Sequence, residues 1–181
     1  MSSENPARDP ARNASPAPAS RPAAWPTATL KTWAAAGVSG LGGFIVIFML
    51  AQLTRSLHAI LLIAPFGASC VLVFALPQSP LAQPRNVIGG HLISTAVGLA
   101  VFSVFGGEPF AIGLAVGAAI AAMQLTGTLH PPAGADPIVV ILAKAAWPFL
   151  FSPVLAGAVF IVIAGFAFHR GVSRRAYPLK S

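Results

Sequence analysis

Charge is what this chain has least of: 8% of its 181 residues are Asp, Glu, Lys or Arg, against roughly 25% in an ordinary soluble domain. Only four are acidic: Glu4, Asp9, Glu108 and Asp136. With 56% hydrophobic residues and a mean hydropathy of +0.78, this excludes a soluble fold and leaves an integral membrane protein. Cysteine is almost missing too. Cys70 stands alone, so no disulfide can form within the chain, and its apolar surroundings fit a small packed hydrophobe. Four scattered histidines form no H-x-x-x-H and meet no cysteine pair, so neither a metal centre nor a cofactor is expected. G-x-S-x-G is absent and Ser69 has no assigned base nearby, so the chain is not expected to be an enzyme.

What charge there is lies at the ends. Of eleven basic residues, Arg8, Arg12, Arg21, Lys31, Arg170, Arg174, Arg175 and Lys180 flank the apolar region. No basic patch interleaves with aromatics, so the net charge of +7 does not require a nucleic-acid partner. It reads instead as membrane orientation, with both termini cytoplasmic and an even number of crossings. Residues 1–30, rich in Pro, Ala, Ser and Arg without an apolar stretch, read as a disordered cytosolic tail. Residues 31–170 are the membrane domain, and 171–181 a basic cytosolic tail.

A helix needs about 20 apolar residues to span. Candidate segments are Trp33–Leu53, Leu57–Leu76 (interrupted at Pro65 and Gly67), Val87–Phe105, Phe110–Leu125, a short Ile138–Trp147, and Phe149–Phe168. Residues 138–168 as one helix would measure roughly 46 Å, too long for a core of about 30 Å; hence the half-helix. The fold expected is an all-α polytopic bundle with broken or re-entrant helices: six crossings, or four plus two re-entrant pieces.

The breaks are the unusual feature. Residues 126–137, TGTLHPPAGADP, hold a histidine, three prolines, two glycines and an aspartate between apolar segments. Laid over one another at an offset of 67 residues, PFGASCVLVFA from Pro65 and PAGADPIVVIL from Pro132 share Pro, Gly, Ala and a later Val; Gly90 falls on Gly157. Three membrane elements per half would invert the second half relative to the first, placing a substrate site at mid-membrane between broken helices. Ser69 and Asp136, equivalent in this repeat, are both good N-cap types, and Pro137 suits a first helical turn. Backbone N–H groups at such helix starts favour a small anion.

The same residues carry a likeness. HPPAGADPIVV, with the upstream APFGASCVLVFALPQSPLAQPRNVIGGHLIS, resembles the HPP family of integral membrane proteins, named for the tripeptide seen here as His130, Pro131 and Pro132. The likeness runs from about Trp33 to Phe168. It implies a small multi-spanning protein, often counted with four helices, and nitrite as solute, because plant plastid and cyanobacterial members are associated with nitrite transport. Regulatory domains follow the membrane part in some members; the resemblance covers only the membrane part, so regulation by such a domain is not expected from it.

The expectation is a transporter or channel for a small inorganic anion, nitrite by resemblance, in the inner membrane and homo-oligomeric. Its site comprises Pro65, Gly67, Ala68, Ser69, His130, Pro131, Pro132, Gly134 and Asp136. Arg85, His91, Thr128 and Lys144 are accessories. Each has a plainer reading. His130 either binds an anion or relays a proton, or locks the turn through a backbone hydrogen bond. Asp136 is an N-cap or a protonatable coupling group, paired with Lys144 or His130. Lys144, two turns past it, is an intramembrane charge or a snorkelling side chain. Arg85 is a clamp or a positive-inside charge; His91 joins Ser94 and Thr95 in a polar stripe; His58 marks a span end. The rival is a non-transporting scaffold or sensor whose breaks only secure packing.

Overall fold

The computed structural model describes residues 29–179; the tail assigned to 1–30 lies outside them except for its last two residues, and 180–181 lie outside as well. All regular structure among the described residues is helical. Helix α1, Leu30–Leu57, opens on a Thr29–Thr32 capping box and closes at His58, exposed in the left-handed region at φ 49. Helix α2 is Pro65–Ala75, an α-helical start that widens over Val71–Ala75. Helix α3 is Pro84–Phe105 and α4 Pro109–Leu125, separated by a turn in which Gly106 takes φ 68. A 3₁₀ turn, Pro131–Ala135, leads into α5, Asp136–Leu142. The last helical stretch runs Trp147–Ser173 around a regular core, α6, Ala156–Phe168.

Three stretches are long and apolar enough to cross a membrane: Leu30–Leu57, Pro84–Phe105 and Trp147–Ser173. The 17-residue α4 spans about 26 Å at 1.5 Å per residue. Helices α2 and α5 stop well short. The chain is therefore an all-helical membrane bundle in which two short helices, α2 and α5, are set among four longer ones.

Several boundaries expected from the sequence are revised. The second apolar segment is helical only from Pro65, because residues 59–64 cannot continue past the left-handed His58 and Pro65 sets a fresh first turn. Helix α5 ends at Leu142 rather than at Trp147, since Lys144 turns the chain at φ 49. Lys144 is thus an exposed turn residue outside any helix. The last helical stretch begins at Trp147, with Pro148 in its first turn instead of ending the segment before it.

Helix α3 is the hub, packing against α4, α5 and α6. Its contact with α4 is close because Ala111, Ala115 and Ala119, one turn apart on one face, are fully buried; small side chains let helices approach in lipid, where burial of apolar surface supplies no extra drive. On the other side α1, α2 and α6 enclose an apolar core of Val46, Leu50, Phe66, Val73, Phe74 and Ile161. Cys70 is a free thiol buried in that core.

Two backbone approaches recur in this packing. A Cβ on Gly90 of α3 would lie 2.9 Å from the Thr128 carbonyl oxygen, and a Cβ on Gly157 of α6 would lie 2.9 Å from the Leu61 carbonyl oxygen. Both contacts tolerate only glycine. Gly157 follows Gly90, and Thr128 follows Leu61, by the same 67 residues. Each long helix thus meets the chain just ahead of the broken helix of the other half.

The C-terminal segment is not free of the bundle. Tyr177 is buried, the Leu179 amide donates to Gln83 Oε1 at 2.8 Å, and Arg175 donates to the Ala75 carbonyl at 3.3 Å.

Candidate functional site: a buried polar chain joining the two broken helices

Where α2 and the turn before α5 meet, a line of polar side chains crosses the interior. Ser69 sits on α2, His91, Ser94 and Thr95 on α3, His130 ahead of the 3₁₀ turn, and Asp136 at the start of α5. The spacing of 91, 94 and 95 puts all three on one face of α3, turned inward and 0% exposed. Ser69 and His130 are equally sealed, and Asp136 is 1% exposed.

The contacts form a continuous chain. His130 Nδ1 donates to the Leu81 carbonyl at 2.8 Å, and its Nε2 lies 2.9 Å from Ser69 Oγ. Ser69 Oγ lies 2.8 Å from His91 Nε2. His91 Nδ1 lies 2.7 Å from Asp136 Oδ2, which also accepts from Thr95 Oγ1 at 3.3 Å. Ser94 Oγ donates to the Ala133 carbonyl at 2.6 Å, tying α3 to the turn. Asp136 Oδ1 is buried with no hydrogen-bond partner. The two imidazoles meet edge to face at 5.0 Å between ring centres, and Phe66 packs its ring against His91 at 5.1 Å.

Two expected roles are corrected. Ser69 does not cap a helix: with Pro65 at the first position, α2 begins four residues earlier and carries Ser69 inside it, where the hydroxyl faces the Pro65 carbonyl at 3.3 Å. Asp136 makes no capping bond either; the preceding 3₁₀ turn has already started the helical path, so its carboxyl is free to turn toward α3. Its partner is His91, not Lys144 or His130. Ser69 likewise has two imidazole bases beside it, where the sequence pointed to none.

The other expected site residues are placed as follows. Pro65 and Pro132 are buried next to the chain of polar groups, while Pro131 and Ala68 are exposed. A Cβ added at Gly67 or Gly134 would meet nothing within 4 Å; Gly67 instead borders a cavity of about 290 Å³ shared with Gly40, Gly43, Ile47 and Cys70. Thr128 is buried and bonds Thr126 Oγ1 at 2.8 Å, outside the cluster. Arg85 is exposed and donates to the Thr126 carbonyl at 2.8 Å, clamping the end of α4 rather than reaching the cluster. Among the described residues no group of three His, Cys, Asp or Glu side chains is arranged to hold a metal.

Ser69, His91 and Asp136 stand in the order of a nucleophile, a base and its orienting acid. The hydroxyl, however, is shared between two imidazoles and wholly buried inside a helix in this conformation. What the arrangement can do as it stands is hold and pass protons: each link is a group able to donate on one side and accept on the other.

Comparison with known proteins agrees with the motifs. The family described as the HPP transmembrane region matches residues 28–178. Two transmembrane proteins of Dictyostelium discoideum are similar: one is 40% identical over 126 residues, 65% of this chain and 44% of the relative. The other is 36% identical over 155 residues, 79% of this chain and 50% of the relative. The chain spans about half the length of these curated relatives or less. No solved structure matches. With its whole helical part covered by that match, the chain belongs to the HPP transmembrane family.

Proposed function

We propose that this protein passes a small inorganic anion, nitrite by family resemblance, across the inner membrane between its two Pro/Gly-broken helices. One observation carries the reading: the breaks at Pro65 and Pro131, 66 residues apart in sequence, come together at a buried polar chain through Ser69 and His130. Irregular backbone and polar side chains at membrane depth are costly, and are found where they line a path or a site. The exchanged Gly90–Thr128 and Gly157–Leu61 approaches support a pseudo-two-fold relation between halves α1–α3 and α4–α6. Three elements per half make that relation an inverted one, the geometry of alternating access around a central site.

In this reading the chain crosses six times, α1, α3, α4 and α6 as full helices and α2 and α5 each together with the irregular stretch ahead of it, and both termini face the cytoplasm, in keeping with the basic flanks. The cluster is closed on both sides in this conformation, so passage requires the breaks to part. Helix α1 exposes Phe44 and Phe48, stacked at 5.8 Å, on a face open to lipid or to a second copy in a homo-oligomer.

The second reading, a scaffold or sensor, rests on the same burial: a sealed, nearly satisfied chain of hydrogen bonds also serves to fix helix packing. Uptake into proteoliposomes across a panel of nitrite, nitrate, formate and chloride separates the two. The transport reading expects flux above protein-free vesicles for at least one anion, lost in His130→Ala; equal flux with and without protein overturns it.

A further inference from the structure

The hydrogen bonds of the cluster can be counted proton by proton. A carbonyl only accepts, so the Leu81 oxygen at 2.8 Å requires a hydrogen on His130 Nδ1. In a neutral ring His130 Nε2 is then a bare acceptor, and the hydrogen between it and Ser69 must come from the hydroxyl. Ser69 has only that one hydrogen, and the 2.9 Å contact to His130 takes it ahead of the longer 3.3 Å contact to the Pro65 carbonyl. Its other close neighbour, His91 Nε2 at 2.8 Å, must therefore donate to the serine oxygen. With Nε2 of His91 protonated, the 2.7 Å contact between His91 Nδ1 and Asp136 Oδ2 has two descriptions. Either a protonated Asp136 donates to a neutral His91, or a carboxylate accepts from a doubly protonated one. Both contain the same number of hydrogens, one more than a carboxylate beside two neutral imidazoles.

Take that hydrogen away and the chain no longer closes. His91 then carries its hydrogen on Nδ1, facing Asp136, and both Nε2 atoms compete for the single Ser69 hydrogen. One of the two links to Ser69 has to break. The link to His130 is the one joining the two broken helices. The unpartnered Asp136 Oδ1 points the same way, since a buried carboxylate oxygen without a donor is far worse placed than the carbonyl oxygen of a carboxylic acid.

Among the described residues no other ionisable side chain is hydrogen-bonded to the cluster. From α2 the neighbours are Ser69 and Cys70, whose Cβ faces Gly43 of α1. Residues 109–125 of α4 contain nothing titratable. His169, after α6, bonds the Val73 carbonyl and Ser173. Arg85 and Lys144 are exposed, the first held on Thr126.

We propose that the Asp136–His91 pair is a proton-binding site: it holds one proton while the breaks are joined through Ser69, and releases it when they part, so that each anion crosses with a proton. The proton enters from water on the side the anion enters and leaves to water on the other. The coupling rests on the transport reading above; the proton-loaded state does not, and each has its own test.

For the loaded state, ¹⁵N-histidine spectra are recorded in lipid bilayers in a His58→Gln/His169→Gln background, leaving two rings. One ring is expected with a hydrogen on Nδ1 only and the other with its Nε2 protonated. Two rings both protonated on Nδ1 alone overturn the proposal. Should that background fail to fold, the same assignment is made on the wild type through correlations of His91 with Asp136. For the coupling, wild-type proteoliposomes loaded with a pH dye are given nitrite, with protein-free vesicles subtracted for passive nitrous acid. The expected result is luminal acidification matching nitrite uptake one for one, insensitive to an imposed membrane potential, and absent in Asp136→Asn. Nitrite uptake without acidification, or driven by voltage, overturns the coupling and leaves the transport reading intact. No uptake of any anion overturns the transport reading and the coupling together, and the proton site then stands or falls on the histidine spectra.

Discussion

Ser69 Oγ and His130 Nε2 lie 2.9 Å apart, and this contact joins the two interruptions in an otherwise regular bundle. Removing the hydroxyl in Ser69→Ala strands two imidazole nitrogens in a dry interior. A hydrogen bond between helices in lipid contributes only about 0.6 kcal/mol on average, but a buried donor left without an acceptor costs about 1–3 kcal/mol. The second effect dominates, so Ser69→Ala should lower thermal stability in detergent by more than an ordinary polar deletion such as Ser103→Ala, whose hydroxyl bonds only the Leu99 carbonyl of its own helix. Equal shifts in the two midpoints would show that the joint contributes nothing special.

Asp136→Asn and Asp136→Ala should differ. An asparagine amide can donate to His91 Nδ1 where the protonated carboxyl does, and its second N–H can reach Thr95 Oγ1, so the joined conformation keeps its hydrogen bonds. Alanine supplies neither and also opens a small void. Stability close to wild type is expected for Asp136→Asn and a loss of about 1–3 kcal/mol for Asp136→Ala, read as unfolding midpoints, while solute uptake falls in both. An asparagine variant as unstable as the alanine variant would place a carboxylate, not a carboxylic acid, in the native cluster.

The glycines sort by what surrounds them. Alanine at Gly90 sets its methyl 2.6 Å from His130 Cβ and 2.9 Å from the Thr128 carbonyl, and alanine at Gly157 meets the Leu61 carbonyl at 2.9 Å. Backbone atoms cannot step aside, so overpacking of about 1–3 kcal/mol is expected for each. Gly67, on α2, has nothing within 4 Å; Gly67→Ala should be neutral or gain about 0.4–1 kcal/mol from a less flexible unfolded chain. Midpoints that fall equally for all three would remove the close approaches as the reason for glycine at 90 and 157.

How far the sequence can be read divides along physical lines. Apolar length and flanking charge locate α3, α4 and α6 well, because those signals are local. The breaks at Pro65 and around Pro131 are legible for the same reason. The roles of Ser69 and Asp136 are not: both are good caps in isolation, but the preference of proline for a first helical turn acts earlier than Pro137, at Pro65 and Pro131, and starts each helical path before the polar residue is reached. The His91–Asp136 contact bridges 45 residues and depends on how α3 packs against α5, which no local pattern encodes. His91, with Ser94 and Thr95 at helical spacing, carries the usable signal; that inward polar stripe, weighed above the isolated Lys144, leads to the site.

Tyr177 offers a pH-dependent test at the other end of the molecule. Its ring packs against Gly165 and His169, its hydroxyl is buried without a partner, and burial pushes the hydroxyl above its ordinary ionisation range. A group whose folded pKa is raised keeps its contribution at pH below the unfolded value, about 10 for tyrosine, and loses it progressively as pH rises beyond that. Wild type should therefore lose stability in mildly alkaline detergent above about pH 10 relative to Tyr177→Phe, and below that pH the phenylalanine variant should be at least as stable, since an unpartnered buried hydroxyl is itself unfavourable. The chain has a single tyrosine, so phenolate absorbance reports this residue alone. Its titration should be delayed in the folded protein and return to the ordinary range on unfolding; a normal titration in the folded state would mean that residues 174–179 do not stay docked on the bundle.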